Sequence, residues 1–181
     1  MSGRRWKGIT MDILIQKAKR QDKDAFAELM RINAKSMYKV AKAILKCDED
    51  IADAMQETAL TCWEKIGTLK RNDYFKTWLI RILINKCNAI YRQKMRFVPN
   101  ENLPETVMVE DEFSNVEWME LLKFLEEKYR TVIILYYVEG FKVKEIARML
   151  EVSESAVKGR MVTARRKMED FYRSGKEWNI I

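Results

Sequence analysis

Apolar residues recur at three- and four-residue intervals along most of the chain. Phe26, Leu29, Met30, Met37, Val40, Ala41 and Ile44 fall on one helical face, and Asp22 or Asp24 is placed to cap its start. A second stripe, Ile51, Ala54, Met55, Thr58 and Cys62, follows Asp48, Glu49 and Asp50, acids that suit the positive end of a helix. A third, Phe75, Trp78, Leu79, Ile82, Leu83 and Lys86, opens at Asp73. Further on, the pattern predicts helices near 115–128 and 130–138, then a pair near 142–150 and 153–172. No strand-like alternation bounded by turn residues stands out. The expected fold class is all-α, in two small helical domains.

Residues 97–116 interrupt this rhythm. They hold both prolines, Pro99 and Pro104, and five acids (Glu101, Glu105, Glu110, Asp111, Glu112), with no Lys or Arg. Proline and a single-sign charge run oppose compact helix packing, so the stretch reads as an acidic flexible linker between domains at 1–96 and 117–181. It is longer than an ordinary connection. Charge divides along the same boundaries. Residues 1–96 carry 21 Lys+Arg against 11 Asp+Glu, net +10; the linker is −5; residues 117–181 carry 13 against 11, net +2; the chain totals +7. That asymmetry suits a polyanionic partner, although a solvated lysine-rich surface gives similar totals.

Composition removes most enzyme classes. The 181 residues include no histidine, which excludes Ser-His-Asp and Cys-His pairs, His-ligated zinc and imidazole acid–base steps. Glycines stand only at 3, 8, 67, 140, 159 and 175, so no phosphate-binding glycine motif can be written. Cys47, Cys62 and Cys87 form no C-x-x-C pair, and they read as reduced thiols, partly buried on helices. There is no signal-peptide core and no run of about 20 apolar residues, so a cytoplasmic protein is expected. Neither a cofactor, a metal nor a small-molecule substrate is expected.

The segment KVKEIARMLEVSESAVKGRMVTARRKM carries the clearest motif. Val143, Ile146, Ala147 and Leu150 line one face of a first helix, and the small Ala147 permits close approach where two helices cross steeply. Val152 falls in the turn, Ser153 caps the second helix, and Ala156, Val157 and Met161 face back. In a DNA-binding helix-turn-helix the second helix lies in the major groove. Glu154, Ser155, Lys158, Gly159 and Val162 then face outward, with Arg160, Arg165, Arg166 and Lys167 available for phosphates. An ordinary αα-hairpin with a polar face is the plainer alternative.

Upstream, IGTLKRNDYFKTWLIRILINKCNAIYRQKMR interleaves aromatics with cations. Exposed rings among cations suit single-stranded nucleic acid, where stacking is worth about 1–3 kcal/mol per base. Phe75, Trp78 and Ile82 sit at core spacing, which leaves Tyr74 and the loop Lys70–Asp73 as the parts open to DNA.

DAFAELMRINAKSMYKVAKAIL, DIADAMQETALTCWEKI, FKTWLIRILINKCNAIYRQKMR and the helix-turn-helix, in that order, resemble the successive regions of bacterial extracytoplasmic-function sigma factors of the sigma-70 family. The resemblance covers residues 22–96 and 117–172. Its most specific pieces are D-x-x-Q-E-T (Asp53, Gln56, Glu57, Thr58), F-x-x-W-L-x-R-I-x-x-N (Phe75 to Asn85) and E-I-A-x-x-L…V-K-x-R…A-R.

The resemblance implies a non-enzymatic alternative sigma factor that recruits core RNA polymerase to particular promoters. Asp50, Asp53, Gln56 and Glu57 would dock on the coiled coil of the polymerase's largest subunit. The loop at 66–74 and the helix after it would read and melt the minus-ten element, through Lys70, Arg71, Asn72, Asp73, Tyr74 and Lys76, then Arg81, Asn85 and Lys86. Ser153, Glu154, Ser155, Lys158, Gly159 and Arg160, followed by Val162, Thr163, Arg165 and Arg166, would read the minus-thirty-five element as duplex. The linker would thread toward the active-site cleft of the polymerase, or serve as a plain tether. Implied partners are core RNA polymerase, including the flap region of its second-largest subunit, promoter DNA both duplex and melted, and a membrane-anchored anti-sigma factor.

Some positions depart from the family pattern. Glu151 stands where the turn usually has glycine, which costs on the order of 1 kcal/mol if φ is positive there. Gly159, Val162 and Thr163 replace commonly polar, aromatic or basic residues, and Ala52 replaces a common glutamate in the docking helix. Competing readings are a stand-alone helix-turn-helix regulator, a nucleic-acid-processing enzyme using the acids at 48–50 and 53, and a phage or plasmid sigma-like protein without an anti-sigma partner.

Overall fold

The structure is a computed structural model that describes residues 3–97 and 122–177, with side chains described over 11–94 and 122–173. Almost all of the expected linker, and the first part of the helix expected near 115–128, lie outside the described residues. What is described is helix and turn. The chain divides into two compact units, Met1–Glu101 and Asn102–Ile181.

Among the described residues of the first unit, four helices form the body: α1 (Gly3–Lys19), α2 (Lys23–Ile44), α3 (Asp48–Lys65) and α4 (Phe75–Phe97). Asp22 caps α2, its carboxylate accepting from the Ala25 N–H at 3.0 Å and satisfying a first-turn donor that has no helical partner. The residue before it closes α1. Asp22 N–H donates to Lys17 O at 3.2 Å and Gln21 N–H to Ala18 O at 2.9 Å, with Gln21 in the left-handed region at φ 66°. The elbow between α1 and α2 therefore has no slack. Helix α1 was not expected from the periodicity: its described half buries only Ile15 and Ala18 against the rest of the unit, too short a stripe to register.

Helix α2 packs on α1, α3 and α4 and buries Leu29, Met37, Val40, Ala41 and Ile44. Helix α3 buries Ile51, Ala54, Thr58 and Cys62, the expected face with Met55 at its margin. The buried Thr58 hydroxyl donates to Ala54 O at 2.6 Å, so its polarity is satisfied within its own helix. In α4 the buried set is Phe75, Leu79, Ile80, Leu83, Ile84 and Cys87, wider than the expected stripe and rotated from it. Trp78, Ile82 and Lys86 are half-buried. The cause is tertiary: α4 lies against both α2 and α3, and a helix in a groove buries a broad arc. Truncating Leu79 or Leu83 to Ala would cost about 2–5 kcal/mol. Asp73 does not open α4; it sits one turn earlier, in a 3-10 turn at Asn72–Tyr74.

The second unit contains α5 (Glu127–Ile133), a π-helical turn at Ile134–Val138 that continues it, α6 (Val143–Leu150) and α7 (Glu154–Glu177). The expected break after residue 128 falls earlier, with a bend at Leu125 and Glu126 as the N-cap residue of α5. Leu122 and Leu125 are both buried, so the apolar spacing runs unbroken across the bend and hides it. In the π turn, Glu139 N–H donates to Ile134 O at 3.0 Å, five residues back. Glu145 reaches back to accept from Lys142 N–H at 2.9 Å, fixing the start of α6. Ile146, Ala147 and Met149 of α6 are buried with Val157, Met161 and Ala164 of α7, the two helices being in contact. The turn between them has Glu151 at φ 56°, ψ 42°, the left-handed conformation expected to favour glycine, and Val152 N–H donates to Ala147 O at 3.0 Å.

Candidate functional site

The stretch between α3 and α4 is pinned at its apolar points and open between them. Ile66, Leu69 and Phe75 are buried, whereas Lys70, Arg71, Asp73 and Tyr74 are exposed. Arg71 pairs with Asp73 at 3.1 Å and lies over the Tyr74 ring at 4.9 Å from its centroid. The hydrogen bond to Asp73 raises the pKa of a guanidinium that is charged in any case. One residue of the expected set behaves differently. Asn72 is half-buried and its amide is engaged at both ends: Lys19 Nζ donates to its Oδ1 at 2.7 Å, and its Nδ2 donates to Asp12 Oδ1 at 2.5 Å.

On α4, Arg81 and Asn85 are exposed and Lys76 and Lys86 half-buried. Trp78 and Ile82, expected in the core, instead line an open groove of about 590 Å³ with Arg81, Asn85, Lys86 and, from α3, Thr61, Glu64 and Lys65. The indole is thus half-available at the surface that carries the cations.

The acids of α3 are partly neutralised from within. Asp50, with a side chain 14% exposed, pairs with Lys94 at 2.7 Å, and this bond raises the Lys94 pKa. Glu57 pairs with Lys86 at 3.1 Å, and Asp48 with the buried Lys42 at 2.7 Å. Asp53 and Gln56 are exposed. The face expected to meet a protein and the face expected to meet DNA therefore share one ion pair, Glu57–Lys86. The Glu57–Lys86 pair is open to solvent on both sides, and such pairs contribute about 0–1 kcal/mol, so it is easily exchanged for an outside partner. Of the acids that a metal-dependent nuclease reading would use, Asp48 and Asp50 are paired with lysines, and among the described residues no group of three or more Cys, Asp or Glu side chains could hold a metal ion.

The three cysteines carry no chemistry that the site uses. Burial pushes the Cys62 and Cys87 thiols up to about 12. Half-buried Cys47 donates to Glu49, whose carboxyl is held below its ordinary range mainly by that bond.

In the second unit Ser153 caps α7, its hydroxyl accepting from Ala156 N–H at 3.1 Å and lying 2.9 Å from the Ser155 hydroxyl. Its role is to start the helix. Glu154, Ser155, Lys158, Gly159 and Val162 are exposed as expected, Val162 at 64%. A Cβ at Gly159 would meet nothing within 4 Å. Arg160 and Thr163 are half-buried and Arg166 is exposed. Two cations expected to be available for phosphates are held by the fold. Arg165 Nε donates to the Tyr137 hydroxyl at 2.9 Å, and Lys167 pairs with Glu126 at 3.0 Å.

Residues that sequence reasoning missed are Asp12 and Lys19 around Asn72, and Lys94 as the partner of Asp50. No local signal could have found the Asn72 contacts, which join positions 53 and 60 residues apart.

Comparison with known proteins places these features in a family context. Residues 29–97 match the family model for Sigma-70 region 2, and residues 115–168 the one for Sigma-70, region 4. The chain is 30% identical over 166 residues to the ECF RNA polymerase sigma factor SigW of Bacillus subtilis (strain 168), covering 81% of this chain and 88% of that protein. It is 28% identical over 152 residues to the ECF RNA polymerase sigma factor SigM of Mycobacterium tuberculosis, covering 81% of this chain and 76% of that one. Its fold is shared with the sigma factor RpoE in complex with the anti-sigma factor NepR from Bartonella quintana, at a TM-score of 0.71, 20% identity, and coverage of 82% and 96%.

Proposed function

The chain belongs to the extracytoplasmic-function RNA polymerase sigma factors, and from that membership we propose how its surfaces divide the work. It binds core RNA polymerase and directs transcription to particular promoters. Asp53, Gln56 and Glu57 on α3, with Asp50 at the edge, form the face that docks on the largest subunit. The loop Lys70–Tyr74 and the α4 residues Lys76, Arg81, Asn85 and Lys86 meet the minus-ten element. Tyr74 and the half-buried Trp78 offer rings to unstacked bases while the cations hold the strand. The outward face of α7, from Glu154 to Val162, meets the minus-thirty-five duplex, with Arg166 as a phosphate contact.

The observation that carries this reading is the presence, in one short chain, of both sigma-70 regions in order, over an acidic helix and a capped helix-turn-helix. The stand-alone regulator gains no support, because the curated relatives named above are sigma factors over most of their length. Phosphoryl transfer belongs to the polymerase, and the chain itself supplies binding energy in the cytoplasm. An anti-sigma factor is the regulator proposed here, as the sigma factor RpoE of Bartonella quintana, whose fold this chain shares, is found in complex with the anti-sigma factor NepR.

The test is run-off transcription by core polymerase on fragmented genomic DNA, with and without the purified chain. Discrete new transcripts that appear only with the chain are expected, with steep loss as salt rises. A chain that forms no complex with polymerase yet binds a defined site tightly by itself would refute the assignment.

A further inference from the structure

Helix α1 lies outside the region 2 match, which begins at residue 29. We propose that α1 is a positioning element for promoter opening: Asp12 and Lys19 clamp the Asn72 amide and so set the pose of the Arg71–Tyr74 turn. The proposal rests on the sigma-factor reading and adds to it a part of the chain to which that reading gives no role.

The chemistry of the clamp is unambiguous in direction. An ammonium only donates and a carboxylate only accepts, while an Asn amide presents one group of each kind. With Lys19 on Oδ1 at 2.7 Å and Asp12 on Nδ2 at 2.5 Å, the amide has one orientation, and both bonds involve a charged partner, the stronger class of hydrogen bond. Asn72 begins the 3-10 turn whose last residue is the exposed Tyr74, and the turn runs directly into buried Phe75 of α4. Holding Asn72 therefore fixes the backbone two residues before the ring. The same turn carries the Arg71–Asp73 pair and the Arg71–Tyr74 contact, so the whole exposed group moves with it.

The clamp also has a rigid base. Ile15, three residues after Asp12, and Ala18, one before Lys19, are buried, and α1 contacts both 3-10 turns as well as α2. Its C-terminus closes at Gln21 immediately before Asp22 opens α2. In this role Asn72 acts through the pose of its neighbours, as a positioning residue.

The experiment uses holoenzyme assembled from core polymerase and full-length chain on a promoter fragment recovered by genomic run-off. Thymine reactivity to permanganate reports melting, and filter retention reports the closed complex. Asp12→Ala and Lys19→Ala are each expected to lower the melted fraction by about tenfold, with polymerase affinity and closed-complex formation unchanged. Asp12→Lys and Lys19→Asp should each do the same. The double exchange Asp12→Lys with Lys19→Asp should restore melting, because the amide can turn over to meet the swapped charges. Unchanged melting in the single variants overturns the proposal, as does a loss that follows the melting temperature of the variants and is not restored by the exchange. Failure of the sigma-factor reading would appear separately, as a wild-type chain that never assembles a transcribing holoenzyme.

Discussion

The two units present polar groups to their partners in opposite ways. In the first unit polar groups around the candidate site are tied to one another: Arg71 to Asp73, Lys86 to Glu57, Lys94 to Asp50, and Asn72 to α1. In the second, the early face of α7 stands exposed from Glu154 to Val162, and the ties come later, at Arg165 and Lys167. Under the proposed division of roles, the difference suits two different tasks. A surface proposed to hold a melted strand and a protein partner together must place loop residues accurately, and a solvent-exposed pair such as Arg71–Asp73, worth about 0–1 kcal/mol, does so without resisting exchange. A surface that reads intact duplex needs only a rigid, capped helix with one clean face.

The largest effect is expected at α3. Reversing Asp53→Lys with Glu57→Lys should weaken binding to core polymerase by on the order of 100-fold, while circular dichroism stays that of the wild type. Unchanged affinity would remove the acidic face from the interface. Lys158→Ala or Arg160→Ala should each cut promoter-specific transcripts about tenfold in run-off assays. Retained start-site selection at full strength would take α7 out of the groove.

Smaller effects sharpen the contrast between a reading helix and its support. Gly159→Ala should add about 0.5–1 kcal/mol of stability in thermal melting, since the position is open and helical. If the same change lowers transcription, the backbone at Gly159 approaches DNA closely. Glu151→Gly should relieve the left-handed strain and gain on the order of 1 kcal/mol, a rise of about 4–8 °C for a unit this size, with promoter choice unchanged.

The last test separates the units by pH. Cys62 and Cys87 are kept as neutral thiols in the folded first unit, up to about 12, against 9.0 for the ordinary group. The unfolded chain loses those protons first, so their contribution is full below about 9 and drains away between 9 and 12. Stability followed by near-ultraviolet signal should show this slope for the wild type and a shallower one for a Cys62→Ala, Cys87→Ala variant. The second unit has no cysteine and should not share it.

Much of the fold was legible because it rests on local rules. Asp22 and Ser153 are caps, Ile51 to Cys62 is a buried face, and the turn at Glu151 is left-handed, each following from spacing or backbone sterics. What escaped depends on contacts between distant parts of the chain. The rotation of α4, which brings Trp78 and Ile82 to a groove, comes from its being wedged between α2 and α3. The bend at Leu125 is silent because the buried residues on either side keep helical spacing. The ties at Asn72, Lys86 and Lys94 join different elements, and no periodicity encodes them. Roles that depend on residue type alone, such as the acids of α3 and the cations of α7, could be named in advance; which of them the fold itself would occupy could not.

The π turn at Ile134–Val138 has a mechanical consequence. Five-residue pairing inserts a phase step into the helix, and within it Tyr136 and Tyr137 stand side by side on the surface, their rings 4.9 Å apart. Tyr137 is thereby aimed at Arg165, which indexes the long helix α7 to a fixed point on its neighbour. Deleting a single residue within 134–138 would restore regular pairing and swing that tyrosine away. The guanidinium would lose its anchor, and the long helix would lose its reference mark on its neighbour.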